Sequence, residues 1–565
     1  MKRLFPASLS ANILACCLFL LSMASIAEAG LPISIEAYPE TAYAGMHHRI
    51  CLDIGFDQEG SDIVAMHLDA SPLTENAEVF PYKNARGQKR YCCSIKLKPD
   101  TPPGTYRLPL EVTLKNGDRI RTYAVVRVAQ KAVLEGPDIL SQVSRNMLET
   151  LAGSPAVPGN RVKMLEGGLL TFKHWMDTLK SARTYIHLQT YYLDDDGMCS
   201  ELVDILKEKA AQGVDVDLII TRYSQLGKSP ITYLDLKGHG ITILMIGDIG
   251  FPKSSTSRQE PWHAKMRDEY RIFNTLPRET AFQQWFKNHG EGDLMVDYAI
   301  HEKMLIVDGE KAIVGGRNIS DCYFFWWKDL DLALDGPIVG EIEAAFQTNW
   351  SEFGGQPLSF QTAAPQSPPD GVTANLTHSK PWLGDYRNLD VLCGAIGMAK
   401  ERVYITSQYL ALPPKLMTAL ADAACKGVDV RILTNSFETG QEVNFALCHF
   451  ISLNYYRDLL KAGVHIHEYT CPPERKLRPY YHAKQFIIDG KWFSTGSFNL
   501  SMRSAYLESE IMVNVLDRDM ATEREQAFLS EISQNTREIS LSDLARQEDR
   551  YSLLMDVARH LEILY

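Results

Sequence analysis

Two stretches of the same form decide the fold of this chain: residues 301–308 read HEKMLIVD and residues 482–489 read HAKQFIID. In each stretch a histidine and a lysine stand two positions apart, and an apolar run follows that ends in aspartate. Side chains at positions i and i+2 of a strand project from the same face, so the imidazole and the ammonium can reach one phosphate together. The apolar runs predict two buried strands, each with a turn at the Asp-Gly that follows.

A Gly-x-x-Asn sequence follows both stretches at the same distance. Six residues separate Asp308 from GGRN at 315–318, and six separate Asp489 from GSFN at 496–499. We expect a return strand to bring this sequence beside the histidine and lysine, where small residues let the backbone and the asparagine amide approach phosphate oxygens closely. The phosphate-supporting residues predicted on this basis are Gly316, Asn318, Ser497 and Asn499.

The two halves also carry an acid at the same place. Asp329 lies eleven residues beyond Asn318, and Glu510 lies eleven residues beyond Asn499. A carboxylate there can hold a ring nitrogen of an active-site histidine, fix its tautomer and stabilise its charged form. A single acid would more often be a solvated or structural carboxylate, so it is the symmetry of the pair that favours a function.

An internal repeat surrounds these motifs. The strand, helix and strand predicted over residues 182–220 recur over residues 399–433. This pattern predicts right-handed βαβ crossovers and an α/β fold of two pseudo-symmetric halves, with mixed, largely parallel sheets flanked by helices. The predicted boundaries are 138–354 for the first half, 355–381 for a linker, 382–535 for the second half and 536–565 for a C-terminal helix.

The first half is longer between its repeat and its motif. The offset between equivalent positions falls from 214 at Gly213 and Gly427 to 181 at His301 and His482, so the first half contains an insertion between these points. The extra residues fall within about 250–297. The insertion is rich in aromatic residues, and it is either a lid over the substrate or a packed structural element.

The region before the repeat has a different sequence pattern. Short alternating runs separated by turn residues predict an all-β, immunoglobulin-like sandwich over residues 30–131, whose role is spacing, docking or binding. All cysteines except Cys16 and Cys17 lie beyond position 29, at irregular spacings that fit neither a disulfide framework nor a zinc site. Cys51 could form one bridge within this region, or the cysteines there could remain buried thiols.

The start of the chain resembles a targeting segment. Lys2 and Arg3 precede an apolar stretch from about residue 11, and residues 27–29 read AEA, which fits a cleavage site. We interpret residues 1–29 as an export signal, with an uncleaved membrane anchor as the alternative. The formal net charge of −12 argues against a protein that coats nucleic acid through a general electrostatic field.

The two motifs resemble those of the phospholipase D superfamily, and the resemblance covers about residues 138–535. Three phrases are similar to the cardiolipin synthase and phosphatidyltransferase group: IHLQTYY at 186–192, GGRNI at 315–319 and GSFNLSMRS at 496–504. The resemblance implies a two-step displacement that needs no metal or other cofactor. One histidine attacks phosphorus to form a phosphohistidine, while the other protonates the leaving alcohol and then activates the incoming water or alcohol.

The resemblance also assigns roles to individual residues. His301 is the predicted nucleophile and His482 the predicted acid/base, with lysine and asparagine side chains neutralising charge on the non-bridging oxygens. Two departures from the family pattern, Cys322 in place of an acid and Glu508 in place of an asparagine, bear on the acceptor preference. The catalytic residues implied in this way are His301, Lys303, Asp308, His482, Lys484 and Asp489.

The favoured function is an exported phosphatidyltransferase that acts on phospholipids, in the periplasm and peripheral to the outer face of the inner membrane. Capture of the intermediate by water would instead make the protein a phospholipase D, and a periplasmic nuclease of the same superfamily is a further alternative. The acidic net charge argues against the nuclease and against a stable nucleic-acid partner. A basic cluster just before His482, formed by Arg475, Lys476 and Arg478, could contact a lipid headgroup or a nucleic-acid phosphate.

Overall fold

The computed structural model divides the chain into two compact units. One contains residues 1–131 and 540–550, and the other contains residues 132–539 and 551–565. The predicted export signal, the insertion at 250–297 and the basic cluster at 475–478 lie outside the described residues. Those described are 33–43, 49–56, 63–74, 77–83, 89–98, 100–130, 133–194, 197–221, 231–246, 299–358, 370–439, 443–470 and 480–562.

The first unit is built from eight strands in its described part: β1 (Ile33–Tyr38), β2 (Thr41–Tyr43), β3 (Arg49–Phe56), β4 (Ile63–Leu68), β5 (Ala77–Lys83), β6 (Lys89–Lys96), β7 (Gly104–Leu114) and β8 (Arg119–Ala129). They form two four-stranded sheets, in the orders β1-β3-β6-β5 and β2-β8-β7-β4. Alternate residues of β7, namely Leu108, Leu110 and Val112, are buried in one apolar core, as the period of two requires. The predicted strands of this region are therefore confirmed, while the immunoglobulin-like class stays a prediction.

A disulfide joins two neighbouring strands of the first unit. Cys51 on β3 and Cys92 on β6 are bonded, with their Cα atoms 6.5 Å apart. Cys93, the next residue, is a buried free thiol, and burial raises the pKa of its side chain to about 12. Of the two alternatives for Cys51, the structure therefore contains the bridge.

The second unit contains a sheet of sixteen strands among its described residues. The order is β12-β11-β10-β14-β15-β16-β9-β17-β23-β22-β21-β18-β19-β20-β24, and β13 pairs with β23 off this path. The strands are β9 (Val157–Leu165), β10 (Tyr185–Thr190), β11 (Asp215–Thr221), β12 (Thr242–Ile246), β13 (Ala299–Ile300), β14 (Met304–Val307), β15 (Lys311–Gly315), β16 (Asp331–Asp335), β17 (Val372–Ser379), β18 (Arg402–Thr406), β19 (Asp429–Asn435), β20 (His465–Tyr469), β21 (Gln485–Ile488), β22 (Trp492–Gly496), β23 (Glu508–Leu516) and β24 (Thr536–Ile539).

The strand order shows the predicted duplication directly. The run from β12 to β16 in the first half has its counterpart in the run from β20 to β23, and the two runs meet around β9 and β17 at the centre of the sheet. The motif strand β14 is buried on both faces, because Met304 and Ile306 pack in one apolar core and Leu305 and Val307 in another. A strand that is buried on both faces consists of an unbroken run of apolar residues, and this is the pattern of the motif sequence.

Helices accompany the sheet in both halves: α1 (Gln142–Ala152), α2 (Gly168–Lys180), α3 (Ser200–Ala211), α4 (Ile231–Gly238), α5 (Ile338–Glu352), α6 (Arg387–Met398), α7 (Pro414–Cys425), α8 (Val443–Ala462), α9 (Met502–Tyr506) and α10 (Arg518–Asn535). A last helix, α11 (Leu541–His560), begins in residues assigned to the first unit and ends in residues assigned to the second. The predicted crossovers are confirmed, because α3 connects the parallel pair β10 and β11, and α7 connects the parallel pair β18 and β19. None of the described helices combines the length and apolar character needed to span a bilayer.

Two predictions about the sheet are wrong. The sheet is mixed but not largely parallel: β10 to β12, β18 to β20 and the β13–β23 pair are parallel, and the remaining pairings are antiparallel. The reason is the turn after each motif, which folds β14 back on β15 and β21 back on β22 as hairpins. The predicted linker at 355–381 also contains β17, which lies between β9 and β23.

Strand β17 escaped prediction because its sequence, VTANLTHS, is polar. Its polar side chains are buried in pairs rather than exposed. Asn514 on β23, for example, donates from Nδ2 to Thr377 Oγ1 at 2.8 Å. A polar strand of this kind is stable in a sheet centre only when a neighbouring strand supplies partners, and those partners cannot be identified from β17 alone.

Candidate active site

Each motif histidine is held by the backbone of the opposite half. The His301 N–H donates to the carbonyl of Ser509 at 3.0 Å, next to the parallel pairing of β13 with β23. The His482 N–H donates to the carbonyl of Lys328 at 2.7 Å, where Lys328 and Tyr481 form an isolated parallel bridge. Both imidazoles are almost fully buried, and the two halves are joined at both motifs.

The two predicted carboxylates bind the histidines in a crossed arrangement. Glu510, from the second half, lies 3.0 Å from Nδ1 of His301, and Asp329, from the first half, lies 2.7 Å from Nδ1 of His482. Both carboxylates are fully buried, with side-chain exposures of 0%. Nδ1 of each ring is therefore bound to a carboxylate, which orients Nε2 as the nitrogen for chemistry at phosphorus.

The two motifs lie in one electrostatic environment. Burial first, then the charges of Lys484 and, further away, Lys303, lower the pKa of His482 to about 3. Burial, followed by Lys303 and more weakly Lys484, lowers the pKa of His301 well below its usual value. The charge of the lysine in each motif lowers the pKa of the histidine in the other motif. The structure therefore brings together the two motifs, which lie far apart in the sequence, one in each half.

The pKa values of the two supporting carboxyl groups are shifted in opposite directions. Burial raises the pKa of Glu510 to about 8, against the opposing charge of Lys303. Burial also acts to raise the pKa of Asp329, but the charge and hydrogen bond of His482 outweigh it and lower that pKa to about 2. The two supporting carboxyl groups are therefore shifted in opposite directions, Asp329 towards its ionised form by its histidine and Glu510 towards its protonated form by burial.

The motif lysines supply the positive charge of the site. Lys303 donates to the carbonyl oxygen of its own motif histidine, His301, and Lys484 Nζ lies 2.9 Å from Nδ1 and 3.0 Å from Nε2 of His482. Burial lowers the pKa of Lys303 to about 8 and that of Lys484 to about 7. Two partly desolvated ammonium groups beside two imidazoles form a place for one phosphodiester anion.

We expect the activity to fall as the pH rises through the pKa values of these lysines. Below pH 7 both ammonium groups are charged; above about pH 8 both lose their protons in the free enzyme. A bound anion favours the charged forms, so KM should rise with pH more than kcat falls, and log kcat/KM should decline above pH 8 with a slope of about one per group. A kcat/KM that stays constant from pH 7 to 10 would contradict this assignment.

The predicted asparagines are anchored through their side-chain oxygens. The Tyr192 N–H donates to Asn318 Oδ1 at 3.3 Å, and Gln408 Nε2 donates to Asn499 Oδ1 at 3.0 Å. The amide nitrogens are then the donors suited to phosphate oxygens. Gly316 has a second reason to be small, because a Cβ there would lie 2.3 Å from Asp329 Oδ1.

The sequence of the second unit matches a known family. Residues 175–350 and 392–532 match the family described as "Cardiolipin synthase, PLD-like domain", and together they make up more than half of the chain. The chain belongs to this family. A cardiolipin synthase of Halalkalibacterium halodurans is 26% identical over 432 residues, covering 75% of this chain and 76% of the relative. Cardiolipin synthase A of Pseudomonas syringae is 28% identical over 418 residues, covering 72% and 76% respectively.

The aspartates of the two family motifs do not lie in the active site. Asp308 accepts backbone N–H groups of residues 183–185 at 2.8 to 3.0 Å, and Asp489 accepts those of residues 400–402 at 2.9 to 3.0 Å. Each stands in the left-handed region, with φ of 55° and 53°, at the far end of its motif strand. Five residues at about 3.3 Å each place an aspartate roughly 16 Å from its lysine. The prediction that they are catalytic is corrected: they fix the turns that position β14 and β21.

We expect Asp308→Asn to lower stability while preserving the chemistry. An amide offers one acceptor oxygen where the carboxylate offers two, so at least one buried N–H of residues 183–185 loses its charged partner, at a cost of about 2 to 3 kcal/mol. Urea denaturation measures that loss. In the folded protein kcat should stay within about threefold of the starting enzyme, since Asp308 is far from phosphorus. A loss of kcat comparable to that of a motif-histidine variant would restore the catalytic assignment.

The surroundings of the two imidazoles in this family member are chemically different. Tyr323 lies edge-on to His482 at 4.9 Å and Trp327 lies 5.6 Å from the same ring, measured between ring centroids. Next to His301, the position equivalent to Trp327 in the repeat is Glu508. Tyr191 also lies edge-on to His301, at 5.0 Å between centroids. Each imidazole therefore has one aromatic neighbour of this kind, and the two sides differ in having Trp327 or Glu508.

Glu508 is a site residue whose position the sequence did not predict, although its departure from the family pattern marked it. Its carboxylate oxygen lies within 4.8 Å of a ring nitrogen of His301 and of a carboxylate oxygen of Glu510. Arg503 binds Glu508 through Nε and a terminal nitrogen, each at 3.0 Å, and both side chains are buried. Among the described residues these three acid and histidine side chains are the group whose donor atoms could meet at a metal, but each is already engaged within the protein.

Proposed function

We propose that this protein transfers a phosphatidyl group between glycerol-bearing phospholipids through a phosphohistidine intermediate. The observation that carries the proposal is the crossed arrangement of His301 with Glu510 and His482 with Asp329, with two lysines beside them. It provides a nitrogen nucleophile, a proton carrier and positive charge around one phosphorus atom. The relatives named above are cardiolipin synthases, which supports a lipid phosphodiester as substrate.

The reaction proceeds in two displacements. In the first, Nε2 of one motif histidine forms a bond to phosphorus, the bond from phosphorus to the head-group alcohol breaks, and the other histidine gives its proton to the leaving oxygen. In the second, that histidine removes the proton from the hydroxyl of the incoming alcohol, the alcohol oxygen bonds to phosphorus, and the phosphorus–nitrogen bond breaks. His301 as nucleophile and His482 as proton carrier remain the predicted order. Lys303 and Lys484 stabilise the charge on the non-bridging oxygens throughout.

Burial of the site supports transfer over hydrolysis. His301 and His482 are only 8% and 5% exposed, and aromatic rings lie against both. A site of this kind limits the access of bulk water to the phosphohistidine, so a lipid alcohol can compete for it. The phospholipid donor we propose is phosphatidylglycerol, with a second phosphatidylglycerol or another glycerol-bearing lipid as acceptor. We further propose an exported enzyme at the outer face of the inner membrane, on the strength of its N-terminal sequence.

Product analysis tests the proposal. Purified protein is incubated with labelled phosphatidylglycerol in mixed micelles and, separately, with labelled single-stranded DNA. Cardiolipin and free glycerol in equal amounts, with intact DNA, are the expected products. Phosphatidic acid with no cardiolipin would identify a phospholipase, and cleavage of the DNA would identify the nuclease alternative. Either result would overturn the proposed transfer.

We expect Glu508→Asn to change the choice of acceptor. The variant removes a charged acceptor group that lies beside His301 and leaves Arg503 without this partner. A hydrogen bond from the acceptor to the charged Glu508 would contribute about 1.5 to 3 kcal/mol. Losing that bond should change the ratio of transfer to hydrolysis by about tenfold or more. The measurement is a competition between glycerol and water for the intermediate, with Glu508→Gln as the variant of matched size. An unchanged ratio in both variants would show that Glu508 does not contact the acceptor.

A further inference from the structure

The first unit carries a positively charged sheet surface that the catalytic mechanism does not use. The strands of the sheet β2-β8-β7-β4 contain four arginines and a single acidic residue, Glu111, whereas the whole chain has a net charge of −12. The residues of β8 that alternate outwards are partly or fully exposed, and two of them, Tyr123 and Val125, are 43% and 40% exposed. We call this surface the arginine face; it consists of Arg107, Arg119, Arg121, Tyr123, Val125 and Arg127.

The charges of the arginine face are poorly compensated within the described residues. Glu111 is shared by two arginines, with Arg121 at 3.4 Å and Arg119 at 3.6 Å. The side chains of these arginines are 76% and 66% exposed, so the pairs are screened by water and weak. Arg107 instead stands over the ring of Tyr123, at 4.8 Å from its centroid. Most of the positive charge therefore remains available to an external partner.

One arginine on the opposite sheet of the same unit is paired more closely. There Arg90 binds Asp53 at 2.8 Å, and the two side chains are only 19% and 9% exposed. A charge balanced in this way offers little to a ligand, unlike the exposed arginines of β8. Along β8 the outward positions read Arg, Arg, Tyr, Val, Arg, so cationic and amphipathic side chains share one surface.

We propose that the arginine face docks the protein on an anionic phospholipid bilayer. Guanidinium groups bind phosphate oxygens through a planar fork of donors, and an exposed tyrosine and valine among them suit the boundary between head groups and acyl chains. The proposal rests on the proposed lipid substrate, which is itself anionic. It goes beyond that function because the family match begins at residue 175 and leaves the first unit without an assigned role.

Vesicle binding by the full chain tests the proposal. The probes are phosphatidylcholine vesicles with and without phosphatidylglycerol as the minor component, assayed by co-sedimentation at low and high salt. We expect binding to the anionic vesicles, weakened by salt. Loss of each arginine should weaken binding about fivefold, so loss of three should weaken it about 100-fold. The variant combines Arg119→Ala, Arg121→Ala and Arg127→Ala.

A control variant with the same change of net charge separates the contribution of the arginine face from the effect of total charge. It replaces three exposed arginines of the second unit, and it should bind vesicles within about twofold of the starting protein. Three results would each overturn the proposal. Vesicle binding could be weakened equally in both triple variants, the protein could bind equally well to vesicles without phosphatidylglycerol, or it could bind heparin in place of vesicles. The control variant combines Arg161→Ala, Arg518→Ala and Arg559→Ala.

A second substrate form separates docking from the reaction. Short-chain phosphatidylglycerol in detergent does not require a bilayer surface, so the arginine-face variant should keep its turnover there and lose it on vesicles by at least tenfold. Loss of turnover in both forms would overturn the docking role, because the variant would then be damaged elsewhere. If the unmodified protein makes no cardiolipin from either form of the substrate, the proposed function is rejected, whether or not the protein binds vesicles.

Discussion

Turnover of phosphatidylglycerol falls by at least about 10⁴-fold when either His301 or His482 is replaced by alanine, because each displacement needs one imidazole bonded to phosphorus and the other carrying a proton. The two losses are not additive. The double variant should be no slower than either single variant by more than a few fold, since the two rings act as one unit. The measurement is single-turnover release of labelled glycerol by protein whose circular dichroism spectrum is unchanged.

A buried histidine elsewhere in the second unit provides the matched control. His465 is 8% exposed and lies 3.0 Å from Glu538, so His465→Ala removes a ring of the same kind without touching the site. It should lower stability and leave kcat within about threefold. Two results would contradict the phosphohistidine mechanism. One is the absence of acid-labile label from both motif histidines after quenching, and the other is near-normal turnover in either motif variant.

Asp329→Asn and Glu510→Gln are the changes with the next largest expected effects. In other histidine–carboxylate pairs, replacing the carboxylate with an amide costs about 10⁴ in kcat because the ring is left in the wrong tautomer and its charged form loses support. We expect a loss of about 10³-fold or more in each variant. The crossed geometry adds a distinct result, since Asp329→Asn should impair proton transfer by His482, and Glu510→Gln should impair formation of the phosphohistidine on His301.

The control for these variants is a second buried histidine–carboxylate pair. Glu343 lies 2.8 Å from Nδ1 of His187, and both residues are 1% exposed. Glu343→Gln therefore repeats the chemical change inside the same unit but outside the active site. If it slowed turnover as much as Asp329→Asn does, general destabilisation would explain all three results, and the crossed pairs would have no special role.

Much of the site could be predicted because its signals are local. A histidine and a lysine two residues apart on an apolar strand identify one face of that strand, and the repeat of the whole pattern identifies the second half. The carboxylates Asp329 and Glu510 were found by comparing the halves, although nothing in the sequence indicated that they would cross. The crossing depends on β13 lying against β23, a contact between residues more than two hundred positions apart.

Other predictions failed where partners are distant. Asp308 and Asp489 belong to the motif by sequence, yet their carboxylates bind backbone groups more than eighty residues away in the chain. The polar strand β17 is stable for the same reason, because neighbours supplied by the fold satisfy its side chains. A buried polar group can be assigned only when its partner is known.

The sequence by itself determined the type of chemistry and the two-half plan, because residue spacing along a strand and internal repetition are properties of the chain. Tertiary structure alone decided which acid binds which histidine, where the motif aspartates bind, and that Trp327 lies against His482 where Glu508 lies near His301. These depend on distances between atoms that the chain brings together only when long-range strand pairing and burial are complete, and burial is also what changes the pKa values on which the reaction depends.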